Sequence, residues 1–202
     1  MKDRPTVRLR VARGRESVTL AARMFREYAD GLGFPLDFQD FHHEVSNLPG
    51  EYAPPRGALT LAFVGSRLAG CVGLRPIDQE TSEMKRLFVR NEFRGQGIGR
   101  CLVDRVIADA RRIGYQRMRL DTVPDMAEAI RLYHQSGFVQ ISPYRFNPIP
   151  GALYFELDLR HVPGLQDSVV AAAKSMPATS RSRRAVSGSN PSSSPSRRNR
   201  ES

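Results

Sequence analysis

Apolar and polar positions along the chain follow two alternating rhythms. From Thr6 to Val11, the residues Val7, Leu9 and Val11 recur at every second position, the period of a half-buried strand. From Ser17 to Tyr28 the spacing lengthens, and Leu20, Met24 and Phe25 fall on one helical face. A second short helix is predicted over Phe38 to Leu48. Ala58 to Val64 and Leu68 to Leu74 are apolar runs separated by Gly65-Ser66-Arg67, which predicts a hairpin. A turn is expected over Pro76 to Ser82 and a strand over Met84 to Val89. Gly97 to Ile113 carries Ile98, Leu102, Val106 and Ile107 at helical spacing and stops at Gly114, a residue suited to a left-handed C-terminal cap. Gln116 to Asp121 reads as a strand, and Asp125 to Gln135 as a helix presenting Ala129, Leu132 and Tyr133. Gly137 ends that helix; Phe138 to Ile141 is extended and Ala152 to Leu159 forms a closing strand. Hairpins at both ends of this alternation favour a mixed sheet over a fully parallel one, within the α/β class.

Composition changes this picture mainly at the C-terminus. With 202 residues and 40% hydrophobic content, the chain can bury one substantial core. Residues 163–202, by contrast, are rich in Ser, Arg, Pro and Asn, too poor in large apolar residues to offset the entropy of ordering. The expected organisation is a domain over 1–162 and a largely disordered basic tail, with a short helix over 166–176 as its one candidate element. The formal charge of +10 is shared: the tail holds seven Lys/Arg against two acids, leaving +5 for the domain. That balance suits an anionic small ligand; nucleic acid is expected at most through the tail. No apolar run approaches the roughly 18 residues of a membrane span, and no apolar leader follows Met1, so a cytoplasmic protein is expected. Two cysteines, Cys71 and Cys101, suggest neither a disulfide framework nor a thiolate metal site. The adjacent His42 and His43 would face different directions on a helix, so no metal is expected there.

The most informative stretch is Leu87-Phe88-Val89-Arg90-Asn91-Glu92-Phe93-Arg94-Gly95-Gln96-Gly97-Ile98-Gly99-Arg100, a strand passing through a glycine-rich turn into a helix. Amides at a helix N-terminus are unpaired and attract anions, and glycines let a phosphate approach the main chain. A Walker loop would end in Gly-Lys-Ser/Thr, whereas this one ends Gly99-Arg100-Cys101. The dinucleotide pattern also fails, since it demands glycine at Arg100 or Leu102, although Asp121 lies at about the right distance for its ribose acid. Arg/Gln-x-x-Gly-x-Gly/Ala is met by Arg94, Gly97 and Gly99. Downstream, Ala129-Ile130-Arg131-Leu132-Tyr133-His134-Gln135-Ser136-Gly137-Phe138 matches A-x-x-L-Y-x-x-x-G-F.

Over roughly Thr6 to Arg160, both motifs make the chain resemble the GNAT superfamily of N-acetyltransferases. The resemblance implies a central mixed sheet whose fourth and fifth strands splay apart. It further implies acetyl-CoA as co-substrate, with the pyrophosphate held by Arg94, Gly95, Gln96, Gly97, Ile98, Gly99 and Arg100. The pantetheine arm would run along Leu87, Phe88 and Val89, with an amide near Phe88 or Val89 as oxyanion donor. Tyr133 matches the tyrosine that protonates the leaving thiolate, although periodicity alone makes it a core aromatic. Glu83, eleven residues before Arg94, resembles a general-base glutamate if burial raises its pKa; otherwise it is a solvated carboxylate at a strand start. Many members carry Asn where this chain has Met126.

For the acceptor, Arg86 with its neighbour Lys85, and Tyr144 and Asn147 in the segment before Ala152, suggest a small-molecule amine bearing a carboxylate or phosphate, such as an amino acid; surface charge and loop packing explain the same residues. The expected assembly is a monomer or homodimer. A rival class is a non-catalytic acyl-CoA-binding module whose basic tail contacts nucleic acid or another partner.

Overall fold

The computed structural model describes residues 6–36 and 39–160. The tail, its candidate helix and the first residue of the predicted second helix lie outside the described residues. Among those described, seven strands form one sheet: β1 (Val7–Val11), β2 (Ala58–Val64), β3 (Arg67–Pro76), β4 (Thr81–Val89), β5 (Arg117–Thr122), β6 (Val139–Ile141) and β7 (Leu153–Asp158). Their order is β1-β2-β3-β4-β5-β7-β6, and all neighbours run antiparallel except β4 and β5. The expected mixed α/β sheet is therefore present. Four α-helices flank it: α1 (Gly14–Asp30), α2 (Phe41–Ser46), α3 (Ile98–Ile113) and α4 (Ala127–Gln135).

Period-two alternation decides which face each strand residue covers. In β2, Ala58 and Ala62 join the core that contains α3, while Leu59, Leu61 and Phe63 join the core beneath α1 and α2. Burying each large aliphatic or aromatic side chain contributes roughly 1.5–3 kcal/mol, so a strand that is apolar on both faces belongs inside the sheet. Helix α1 starts earlier than its apolar stripe predicts because its first turn is polar. Likewise, β3 and β4 are longer than expected: the Asp78 carboxylate accepts the amides of Glu80 and Thr81 at 2.8 and 2.7 Å, compressing the turn to a few residues.

The feature that positions the site is an opening in the sheet. β4 pairs with β5 only at Thr81, Ser82 and Glu83. Beyond Glu83, β4 stays with β3, while Leu120, Asp121 and Thr122 of β5 pair only with β7. At the fork Cys71 pairs with Phe88 and Gly73 with Lys85, so Val72 faces both Arg86 and Leu87 in a bulge. Arg86 adopts φ 56°, a left-handed conformation that costs a residue with a Cβ roughly 1–2 kcal/mol. The strain is held in place by the Arg86 guanidinium, which grips both carboxylate oxygens of Glu44, and by the Cys71 thiol, which donates to the Arg86 carbonyl at 3.3 Å.

Candidate active site

Past the bulge, β4 is fixed at its end by Arg90, which donates to the two Glu27 carboxylate oxygens at 2.7 and 2.8 Å and to the Leu68 carbonyl at 2.7 Å. A single turn, Asn91–Phe93, leads into the glycine run, with the Phe93 ring buried beneath it. Gly95 and Gly97 have φ of 74° and 81°, and no heavy atom lies within 4 Å of where a Cβ would sit on either. The requirement for glycine is therefore conformational at both positions. Gly97 is the N-cap of α3, and the first amide paired within the helix is that of Cys101, which donates to the Gly97 carbonyl at 3.1 Å. The amides of Ile98, Gly99 and Arg100 have no intrahelical partner, and no side chain caps them. Ile98 contributes its amide alone, because its side chain is buried in the core.

A cavity of about 1130 Å³ opens over this turn. Leu87, Phe88, Val89, Arg94, Gly95, Gly97, Ile98, Gly99 and Arg100 all line it, facing Ala127, Ala129 and Leu132 of α4. Gln96 does not; its amide group donates to the Glu92 carbonyl at 3.3 Å. Arg94 donates to the Val89 carbonyl at 3.2 Å, and Arg100 pairs with Asp104 at 2.8 Å on an exposed surface. The Arg90 amide bonds the Ala69 carbonyl at 2.9 Å, so alternation turns the Phe88 amide toward β3 and the Val89 amide toward the gap.

The gap leads into a second, inner cavity of about 60 Å³, which shares Leu87, Val123, Met126 and Ala129 with the outer one. Tyr133 lines it. Its ring is buried between Phe138 and Phe155, with centroids at 5.9 and 6.2 Å, so the core reading of Tyr133 holds for the ring. Its hydroxyl has no hydrogen-bond partner among the described residues. Burial pushes its pKa up, with Tyr28 and Asp121 adding to the effect, so the phenol stays protonated near neutrality. Met126 lines both cavities, its sulfur 3.5 Å from the Thr122 hydroxyl.

The remaining site candidates lie on the α1/α2 face of the sheet, in a network of paired charges. Glu83 is buried and lines neither cavity. Its carboxylate accepts from Arg75 and Arg145 at 2.8 Å each and from the Tyr144 hydroxyl at 2.7 Å. Burial alone would raise its pKa, as a general base requires; the Lys85, Arg75 and Arg145 cations and the Tyr144 bond reverse the sign and hold it at about 2. Arg86 lines the inner cavity, but its guanidinium is engaged by Glu44, which also accepts from Tyr52 at 2.6 Å. Asn147 lines the inner cavity too and donates to Asp121 at 3.0 Å, while Tyr144 lies on Glu83 rather than in the cavity. Lys85 and Asp121 meet at 3.0 Å and both line the inner cavity. The sequence named Lys85 only as the neighbour of Arg86 and Asp121 only by its distance from the glycine turn; the alternation that buries Met118 and Leu120 on one face turns Asp121 to the other. Glu44 carried no signal at all beside His42 and His43.

Among the described residues, no group of three or more metal-ligating side chains is placed to hold an ion, and no helix is long and apolar enough to cross a membrane.

Comparisons with known proteins converge on one family. The family model described as Acetyltransferase (GNAT) family matches residues 21–138. An uncharacterized N-acetyltransferase of Schizosaccharomyces pombe is 38% identical over 138 residues, covering 67% of this chain and 85% of that protein. A GNAT-family acetyltransferase from Staphylococcus aureus superposes with a TM-score of 0.64 at 20% identity, over 76% of this chain and 99% of that one. An acetyltransferase of Salmonella typhimurium, solved with acetyl-CoA as its cofactor, superposes with a TM-score of 0.56 at 20% identity, over 78% and 96% of the respective chains.

Proposed function

The chain belongs to the GNAT acetyltransferase family, and on that premise we propose that it transfers the acetyl group of acetyl-CoA to the primary amine of a small molecule. One observation carries this reading: the outer cavity over the glycine turn shares walls at Leu87, Val123, Met126 and Ala129 with an inner cavity that Tyr133 lines. A long, polyanionic thioester fits such a path. The unpaired amides of Ile98 to Arg100 and the glycines at 95 and 97 suit its pyrophosphate; the open β4 edge at Leu87 to Val89 suits an amide-bearing arm.

When bound, acetyl-CoA supplies an acyl group activated as a thioester. The protein's own groups supply the rest. Of the two amides the resemblance offers, Phe88 and Val89, that of Val89 turns into the gap and serves as the oxyanion donor in this reading. Tyr133, protonated and without a hydrogen-bond partner among the described residues, donates to the departing thiolate. Glu83 acts at a distance, clamping Tyr144 and Arg145 so that their segment closes over the acceptor side. The cations near the inner cavity are matched by Asp121 and Glu44, so the part of the acceptor that enters it is slender and need not carry a carboxylate.

A thiol-release assay with acetyl-CoA and a panel of primary alkylamines, amino acids and polyamines tests the reading. Turnover of at least one class is expected. Tight acetyl-CoA binding with no release from any amine would sink it in favour of a non-catalytic acyl-CoA-binding module.

A further inference from the structure

With the Glu83 carboxylate accepting hydrogen bonds from Arg75, Arg145 and Tyr144 and lining neither cavity, the site lacks the proton acceptor that the sequence suggested. Amine acetylation needs one, because the nitrogen of a neutral amine becomes cationic on bonding to the carbonyl carbon and must lose a proton before the amide forms. The ionisable groups lining the inner cavity are Tyr28, Lys85, Arg86, Asp121 and Tyr133. An arginine does not give up its proton, and Arg86 is bound to Glu44. Burial raises the pKa of both tyrosines, which makes them donors. Both oxygens of Asp121 already accept hydrogen bonds, one from Lys85 at 3.0 Å and the other from Asn147 at 3.0 Å.

Lys85 remains. Its Nζ contacts two acceptors, Gln39 Oε1 at 3.1 Å and Asp121 Oδ1 at 3.0 Å. A neutral amine donates to both and keeps one lone pair, so deprotonation leaves no bond unmade. We infer that Lys85, steadied by Asp121 and Gln39, is the general base that removes the proton from the acceptor amine in the inner cavity. This rests on the acetyl-transfer reading above. The acceptor nitrogen bonds to the acetyl carbon and its proton passes to Lys85 Nζ; the carbon–sulfur bond breaks and the thiolate takes the proton of Tyr133. The products are an N-acetylamine and free coenzyme A, and the proton gained by Lys85 returns to solvent and Tyr133 is reprotonated.

The electrostatics agree with this role. Burial lowers the Lys85 pKa below the ordinary lysine value; Glu83 and Asp121 oppose that, while Arg86 and Arg145 reinforce it. From the helical side, Tyr28 of α1 also faces the cavity. Activity is therefore expected to rise with pH as Lys85 loses its proton.

Lys85→Arg is the decisive variant, because it keeps the cation opposite Asp121 and removes the base. With the full chain, acetyl-CoA and the amine of the panel that turns over fastest, kcat should fall about 10²-fold or more and the ascending limb of the pH profile should vanish. Acetyl-CoA affinity by calorimetry should be unchanged, which shows that the variant is folded. On the wild type, two acceptors of different ammonium pKa should give an ascending limb at the same pH. A limb that follows the acceptor, or a Lys85→Arg enzyme with wild-type kcat, overturns Lys85 as base while leaving acetyl transfer standing. A wild type that binds acetyl-CoA yet acetylates no amine removes the reading beneath it, and the base with it.

Discussion

At the scale of single residues, environment decides chemistry more than identity does. Tyr133 and Glu83 are both buried ionisable groups, yet the phenol has no hydrogen-bond partner among the described residues and stays protonated, while the carboxylate is met by the Lys85 charge, two guanidiniums and a hydroxyl and stays ionised. Tyr133→Phe keeps the ring between Phe138 and Phe155. It should lower kcat by about 10²-fold or more, with acetyl-CoA affinity and the unfolding midpoint unchanged; steady-state kinetics and calorimetry check this. The Glu83 pKa lies below its ordinary value in the folded state, so its contribution is complete above the unfolded value of 4.5 and is lost as pH falls toward about 2. The shift corresponds to roughly 3 kcal/mol for this almost fully buried group. Urea unfolding between those pH values should show stability declining with acid in the wild type. The Glu83→Gln protein should be weaker near neutrality, because Arg75 and Arg145 lose their counter-charge, and flatter with pH. The sequence offered Glu83 as a base with a raised pKa; the opposite sign was not legible, because Arg75 and Arg145 arrive from β3 and from the segment before β7.

At the scale of elements, the site depends on the close approach of β3 and β4 beside the fork. Gly70 lies where a Cβ would come within 2.6 Å of the Phe88 carbonyl and 3.1 Å of a Leu102 methyl. Backbone on one side and α3 on the other leave it nowhere to go. Gly70→Ala should therefore destabilise the fold by about 1–3 kcal/mol in urea titrations, as overpacking does, and weaken acetyl-CoA binding by displacing β4 along the open edge. The turn into α3 makes a different demand. Gly97→Ala meets no neighbour but retains the left-handed φ of 81°, so its cost is conformational, about 1–2 kcal/mol by the same measurement. Most elements were legible from period alone. Their ends were not wherever a polar turn, such as the one at Asp78, allowed a strand to continue beyond its apolar pattern.

At the scale of the whole molecule, charge separates the domain from the tail. Residues 163–202 carry half of the net +10, and the Met1–Val162 unit forms its own compact body. We expect a chain ending at Val162 to keep acetyl-CoA affinity within about twofold by calorimetry and to lose any polynucleotide binding of the full chain. Acetyl-CoA affinity should also weaken as salt rises from about 0.05 M to about 0.5 M, because Arg100 beside the glycine turn is exposed and its charge is open to screening.

What the sequence determined by itself was local. Alternation and helical spacing set the elements, and two motifs identified the glycine turn and Tyr133, because those signals lie within a dozen contiguous residues. The tertiary structure alone decided which charges meet. Lys85 and Asp121 are separated by 36 residues, Arg86 and Glu44 by 42, and Arg145 and Glu83 by 62. Such pairs leave no periodic trace, since a charge buried against a distant partner and a charge facing water look alike along the chain. Only the splaying of β4 from β5 brings a lysine and a tyrosine to the walls of one small cavity.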